Sequence, residues 1–217
     1  RPFILNSVQA KQLLDAAAKL RSTKSSPRRG ATYRMIFALL YTLGLRVSEV
    51  TNLKLKDVDL DRHLLIIRET KFSKNRLVPF APNMAERISA YMSPYVDVRA
   101  LDQPLFSFDS KGIQPITRGS IGRTFRQILP ELNLQLRPGE KNPRLHDLRH
   151  SMAVGTLVRW YREGKDPSNL LIHLSTFLGH ADVSSTAVYL EMTEELLHAA
   201  GQRFEQFASP LIGGKSI

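Results

Sequence analysis

Leu64-Leu65-Ile66-Ile67-Arg68-Glu69-Thr70-Lys71-Phe72-Ser73-Lys74-Asn75-Arg76-Leu77-Val78-Pro79-Phe80 is the stretch of this 217-residue chain that reads as paired strands. Two apolar runs flank a polar, basic tip, which is the pattern of an antiparallel β-hairpin. Outward from it, helical signals take over. Upstream, Asn6-Ser7 followed by Val8, Leu13, Leu14, Ala17 and Leu20 predicts a capped amphipathic helix, with Asn6 and Gln9 in capping-box spacing. Residues 22–30 read as a basic, polar loop and 31–43 as a strongly apolar helix closed by Gly44. A short helix follows at 48–53. Downstream, Pro82-Asn83 opens a helix to about Met92, Leu105-Phe106-Ser107-Phe108 reads as a short strand, and 117–129 as a helix capped by Thr117 or Ser120. The last third is helical at roughly 146–162, 167–178, 184–190 and 193–207, with Pro167 in a first turn, and 208–217 reads as a mobile tail. The expected fold class is mainly α (α+β), with one small antiparallel sheet.

The composition is that of a globular domain: 42% hydrophobic and 24% charged residues. No run approaches the roughly 20 apolar residues of a membrane-spanning helix. Zero cysteines exclude disulfide scaffolds, cysteine–zinc sites and thiol nucleophiles, and a cytoplasmic address is the expectation that goes with them. Charge is more informative. The 31 Lys+Arg against 20 Asp+Glu give a formal +11, which favours a polyanionic partner, because basic side chains on DNA release condensed counterions. RNA, an anionic membrane surface and mere solubility are the alternatives. A start at Arg1-Pro2 without Met is that of a fragment cut at a linker, with an N-terminal domain missing as the corresponding expectation.

Several segments carry candidate chemistry, and each also has an ordinary reading. Asp57-Val58-Asp59-Leu60-Asp61 imitates the start of a calcium loop. Arg62 stands where that loop needs Gly and Arg68 where it needs Glu, so a solvated turn before the strand is the reading taken. His146-Asp147-Leu148-Arg149-His150 has two histidines at zinc-helix spacing, with His180 available as a third ligand. Arg149, however, lies three residues from His146 on the same helical face, and a fixed guanidinium opposes a bound cation. With Arg149 as participant the segment makes an anion site, the guanidinium offering a bidentate fork; an arginine paired with Asp147 is the plainer alternative. In Gly44-Leu45-Arg46-Val47-Ser48-Glu49, Arg46 follows a helix end fixed by core packing, and Glu49 is placed to orient its guanidinium. Lys71 is at a hairpin tip, His180 at a helix end, and Tyr189 in an apolar helix.

In order along the chain, Gly44-Leu45-Arg46-Val47-Ser48-Glu49, a lysine in the following hairpin, His146-Asp147-Leu148-Arg149-His150, Leu178-Gly179-His180 and Tyr189 nine residues later resemble the tyrosine recombinase (phage integrase) family. The resemblance covers about 6–207, and the stretches 174–180 and 189–193 are similar to integrase-like recombinases of mobile elements. It implies a catalytic-core type of fold over 1–207 and a site-specific recombinase that cuts and rejoins DNA through a 3′-phosphotyrosine. Type IB topoisomerase-like relaxation and a non-catalytic DNA-binding relative are the alternatives. In the roles the resemblance implies, Arg46 and Arg149 clamp the phosphate, Tyr189 attacks it, and His146 accepts the phenol proton. His180 donates to the phosphate and Lys71 protonates the leaving 5′-oxygen, with Lys74 close enough to compete. Glu49 supports the clamp and His150 is a supportive neighbour. No metal or nucleotide cofactor is implied, the partner is double-stranded DNA, and no membrane is involved. The family's N-terminal core-binding domain is not matched by this chain. The segment 160–169 is longer than the family's usual connection. Leu196, Leu197, Ala200, Phe204 and Phe207 give 193–207 an apolar face. In the family that helix docks on a neighbouring protomer, as a tetramer in the synaptic complex; docking on its own domain is the alternative.

Overall fold

The computed structural model describes residues 2–68, 75–95, 99–136, 139, 141–180 and 182–192. Expectations for Lys71, Lys74, the helix 193–207 and the tail 208–217 therefore lie outside the described residues. The chain divides into two compact units, Arg1–Met152 with Phe177–Gly179, and Ala153–Thr176 with His180–Ile217.

In the first unit, α1 (Ser7–Ala18) starts at Asn6, whose side chain accepts from the Gln9 amide at 2.9 Å while its own amide donates to Gln9 Oε1 at 3.0 Å. The predicted capping box is thus formed. Helix α2 (Arg29–Thr42) is apolar on nearly every face, which suits a helix surrounded by its own domain; Ile36, Phe37, Leu39 and Leu40 are fully buried in it. Gly44 ends it at φ +59, and a Cβ there would lie 2.8 Å from Leu178 Cδ2, so both backbone and packing require glycine. Helix α3 (Val47–Asn52) follows at once.

The sheet has three antiparallel strands in the order β1 (Val58–Asp59), β2 (Leu64–Ile67), β3 (Arg76–Pro79). The predicted hairpin pairs Leu65 with Val78 and Ile67 with Arg76, and the period-two alternation puts Leu65, Ile67 and Val78 in the core. Two expectations are corrected. In the segment 57–61, read as a solvated turn before the strand, Val58–Asp59 form β1 and only Leu60 and Asp61 are in the turn before β2. Asp57 itself is buried, accepting from the Lys54 amide at 2.9 Å and from Arg68 Nε. Residues 105–108 form no strand; they carry one isolated bridge, Ser107 to Pro115, with another, Lys54 to Pro104, beside them. Both prolines lack the ladder N–H. Buried Arg99 meanwhile draws on the carbonyls of Pro104, Asp109 and Ser110 at 3.0–3.2 Å.

Helices α4 (Pro82–Met92) and α5 (Arg118–Ile128) complete this core, α5 capped by Thr117. The amide of Leu5 donates to Ser151 Oγ at 2.8 Å, fastening the segment before α1 to α6 (Leu145–Arg162), which begins in the first unit.

The second unit contains the rest of α6, most of α7 (Pro167–Leu178) and a helical stretch at 184–192. Among its described residues, Ala153, Val154, Leu157, Leu171, Leu174 and Tyr189 are buried and apolar. No helix among the described residues is long and apolar enough to cross a membrane.

Replacing the α1 cap, Asn6→Ala, is expected to lower stability by about 1 kcal/mol in urea unfolding. Full stability in that variant would show that the box contributes nothing to α1.

Candidate active site

Five of the expected site residues, Arg46, Glu49, His146, Arg149 and His150, lie in the first unit, and His180 and Tyr189 lie in the second. Lys71 lies outside the described residues.

Arg46 sits between the Gly44 turn and α3. Its Nη1 donates to Glu49 Oε1 at 2.8 Å, its Nη2 to the Gly179 carbonyl at 2.8 Å, and its amide to Glu49 Oε2 at 2.7 Å. Glu49 is three residues along the same helical start, the spacing at which an acidic side chain returns to the N-terminal amide. Arg46 keeps about a third of its side chain exposed (32%), whereas Glu49 is buried. Burial by itself would raise the Glu49 carboxyl; the Arg76 guanidinium, with the Arg46 amide and guanidinium, overcomes it and holds the group below the usual carboxylate range.

Arg149 is only 1% exposed. Its Nη1 donates to the Gly44 carbonyl at 2.6 Å and its Nη2 to the Leu178 carbonyl at 2.7 Å, so two backbone oxygens set the plane of the guanidinium. The pairing with Asp147 considered from the sequence is not what is found. Asp147 accepts from the Arg144 amide at 2.8 Å and from Arg144 Nη2 at 3.2 Å, at the start of α6. Arg46 and Arg149 are therefore fastened to adjacent carbonyls, at Gly179 and Leu178.

His146 and His150, one turn apart on α6, meet edge to face at 4.5 Å between ring centroids. Burial lowers the His146 pKa first, and Arg149 lowers it further, with smaller effects from Arg144 and Arg46. Burial and then the His146 ring bring His150 down to about 4. Both shifts favour the neutral imidazole.

In the second unit, His180 Nδ1 is 2.7 Å from Thr186 Oγ1, and its amide donates to the Ser175 carbonyl at 3.0 Å. Thr186 is fully buried, so it orients the ring. The Tyr189 ring is stacked near that of His180, with centroids 6.3 Å apart and planes 20° apart, and Tyr189 is 3% exposed.

Two contributors escaped the sequence reading. Arg76 donates from Nη2 to Glu49 Oε2 at 2.7 Å and from Nη1 to the Phe177 carbonyl. A signal existed: two residues before buried Val78 on one strand, Arg76 shares its inward face. Thr186 gave none, since a threonine in an apolar helix has many uses. Gly179 is explained by Arg76 as well. Its φ is +67, and a Cβ would meet Arg76 Nε at 2.7 Å.

A mostly helical domain with a small antiparallel sheet, bearing buried arginines fastened around one helix end, is the class that fold and site define. The chain belongs to the phage integrase family, whose sequence profile matches residues 4–195. A putative integrase/recombinase of Sinorhizobium fredii, y4rB, is 38% identical over 211 residues, covering 95% of this chain and 66% of that protein. Tyrosine recombinase XerA of Thermococcus kodakarensis is 32% identical over 170 residues, covering 78% of this chain and 54% of its own length. Among solved structures, XerA recombinase aligns with a TM-score of 0.69 at 25% identity, over 94% of this chain and 65% of that one. The catalytic domain of bacteriophage HP1 integrase shares the fold at a TM-score of 0.56 and 20% identity, over 93% of this chain and 95% of that one. The chain thus spans just under two thirds of y4rB and about half of XerA from T. kodakarensis.

The low pKa of His150 has a consequence for stability. A histidine held at about 4 in the fold and at 6.5 when unfolded binds protons more readily in the unfolded chain. Its contribution is complete above about 6.5 and is lost as pH falls towards about 4. The melting temperature is expected to drop over that window, and to drop less in His150→Gln. Equal slopes for parent and variant would contradict the assignment.

Proposed function

We propose that this chain is the catalytic domain of a site-specific DNA recombinase, an integrase or transposase of a mobile element acting in the cytoplasm. It breaks and reseals DNA strands through a 3′-phosphotyrosine at Tyr189. The observation that carries the reading is the fastening of Arg46 and Arg149 to the neighbouring Gly179 and Leu178 carbonyls. Two guanidiniums held that way are preorganised donors for the non-bridging oxygens of one phosphodiester. Relatives named integrase/recombinase and tyrosine recombinase support it.

The Tyr189 phenol oxygen attacks phosphorus, the bond to the 5′-oxygen breaks, and the phosphoryl group passes to the protein. The phenol's ordinary pKa of about 10 makes it a poor nucleophile at pH 7, so its proton needs an acceptor. His146 is that acceptor, kept neutral by burial and by the nearby arginine charges. His180, oriented by Thr186, donates to the phosphate. Lys71 protonates the departing 5′-oxygen, Lys74 being its competitor for the role. Attack by a new 5′-hydroxyl reverses the sequence and releases Tyr189. The energy of the phosphodiester is conserved in the protein–DNA link, so the cycle runs without metal or nucleotide cofactor. Double-stranded DNA is the partner, and 193–207 is the segment through which protomers associate on it as a tetramer.

The test is a nicked duplex with randomised arms, on which cleavage releases a short fragment and strands the covalent intermediate. The parent chain is expected to give a DNA adduct that survives SDS and maps to Tyr189, and Tyr189→Phe to give none. Arg46→Ala or Arg149→Ala is expected to slow adduct formation by a factor of about 10²–10³, or about 3–4 kcal/mol of barrier, as for other preorganised oxyanion donors. An adduct in Tyr189→Phe, or one that maps elsewhere, would overturn the reading.

A further inference from the structure

Arg76 has no part in the chemistry above, yet its side chain is committed at nearly every atom. It is 11% exposed, on the inward face of β3 opposite Ile67. One Nη holds Glu49 Oε2 and the other holds the Phe177 carbonyl. Its Cδ and Nε occupy the space over Gly179 that a Cβ would need, at 2.8 and 2.7 Å. The buried Nε–H has no acceptor among the described residues. A residue serving only to fill this volume would be apolar. Taking a guanidinium out of water carries a desolvation penalty, which an apolar methionine of similar length avoids.

What the charge does is visible in its two acceptors. Glu49 Oε2 is shared between the Arg46 amide and Arg76, while Oε1 holds the Arg46 guanidinium. Arg76 therefore fixes the carboxylate that fixes Arg46. The Phe177 carbonyl directly precedes the Leu178 and Gly179 carbonyls that hold Arg149 and Arg46. Arg76 thus touches both supports of the arginine pair, from the strand that leaves the hairpin tip.

We propose that Arg76 is a positioning residue for the phosphate clamp, setting Arg46 through Glu49 and both clamp arginines through the 177–179 carbonyls. The inference rests on the phosphate-clamp reading above. Its consequence is a split between rate and affinity. A misaligned clamp slows the step in which charge on the phosphate must be neutralised, and leaves general attraction to the DNA backbone in place.

The experiment uses the full chain and the same nicked duplex, in two forms. One carries an ordinary scissile phosphate, and the other a methylphosphonate, in which a methyl replaces one charged oxygen. Arg76→Met removes the charge at similar volume. Arg76→Lys keeps the charge but cannot span carboxylate and carbonyl with a planar fork. On the ordinary phosphate, Arg76→Met is expected to slow single-turnover adduct formation on the order of 100-fold, the scale of a small misplacement at a reacting centre. DNA affinity stays at the parent value, and Arg76→Lys recovers part of the rate. On the methylphosphonate the gap between variant and parent narrows, because less charge needs to be met. Where circular dichroism shows Arg76→Met unfolded, Arg76→Lys carries the same comparison. An equally wide gap on both substrates, or affinity falling in step with rate, overturns the proposal and leaves Arg76 a structural residue. Absence of any adduct from the parent chain overturns the strand-transfer reading, and this one with it.

Discussion

Three consecutive backbone carbonyls, at Phe177, Leu178 and Gly179, each accept a hydrogen bond from a different arginine: Arg76 of β3, Arg149 of α6 and Arg46 ahead of α3. The last carbonyls of an α-helix have no partner within the helix, and the helix dipole makes that end negative. The end of α7 therefore gathers cations that would otherwise repel one another. Glu49 lies between two of them and accepts from both. The geometry depends on two glycines at positive φ, Gly44 and Gly179, each pressed by side chains a Cβ would strike. Arg149 ties the two turns together by bonding to Gly44 as well as to Leu178.

Such an arrangement is poorly explained by stability alone. A guanidinium as buried as Arg149 sacrifices hydration, and peptide dipoles return only part of it. Burial, and then the same concentration of positive charge, lowers the His146 pKa below that of a free imidazole. Perturbed groups of this kind cluster where chemistry is done. Clustered cations of this kind are the observation on which the proposed phosphate clamp rests.

Much of this was legible in the residues, for identifiable reasons. Asn6 with Gln9, Gly44 after an apolar helix, and the alternation about Leu65 and Val78 are local signals whose physics acts within a few residues. Arg46 and Arg149, 103 positions apart in the chain, meet on adjacent carbonyls. What local reasoning missed was decided by tertiary partners. Asp57 looked solvated until Arg68 and the Lys54 amide enclosed it. Residues 105–108 had strand composition, but their backbone is divided among Leu53, Ile116 and Gln114 in isolated pairings that build no continuous ladder. Arg76 read only as the first residue of the second strand, because nothing near it in sequence announces Glu49 or Phe177. Thr186 became meaningful only once His180 was seen to bond to it.

The most direct measurement is a crystal structure of the full chain with a nicked duplex and vanadate, which occupies the position of a phosphoryl group in transfer. The account predicts one vanadate with oxygens accepting from both Arg46 and Arg149, the Gly179 and Leu178 carbonyls still flanking the two guanidiniums. Vanadate held by one of these arginines alone, or the two arginines on separate anions, would contradict it.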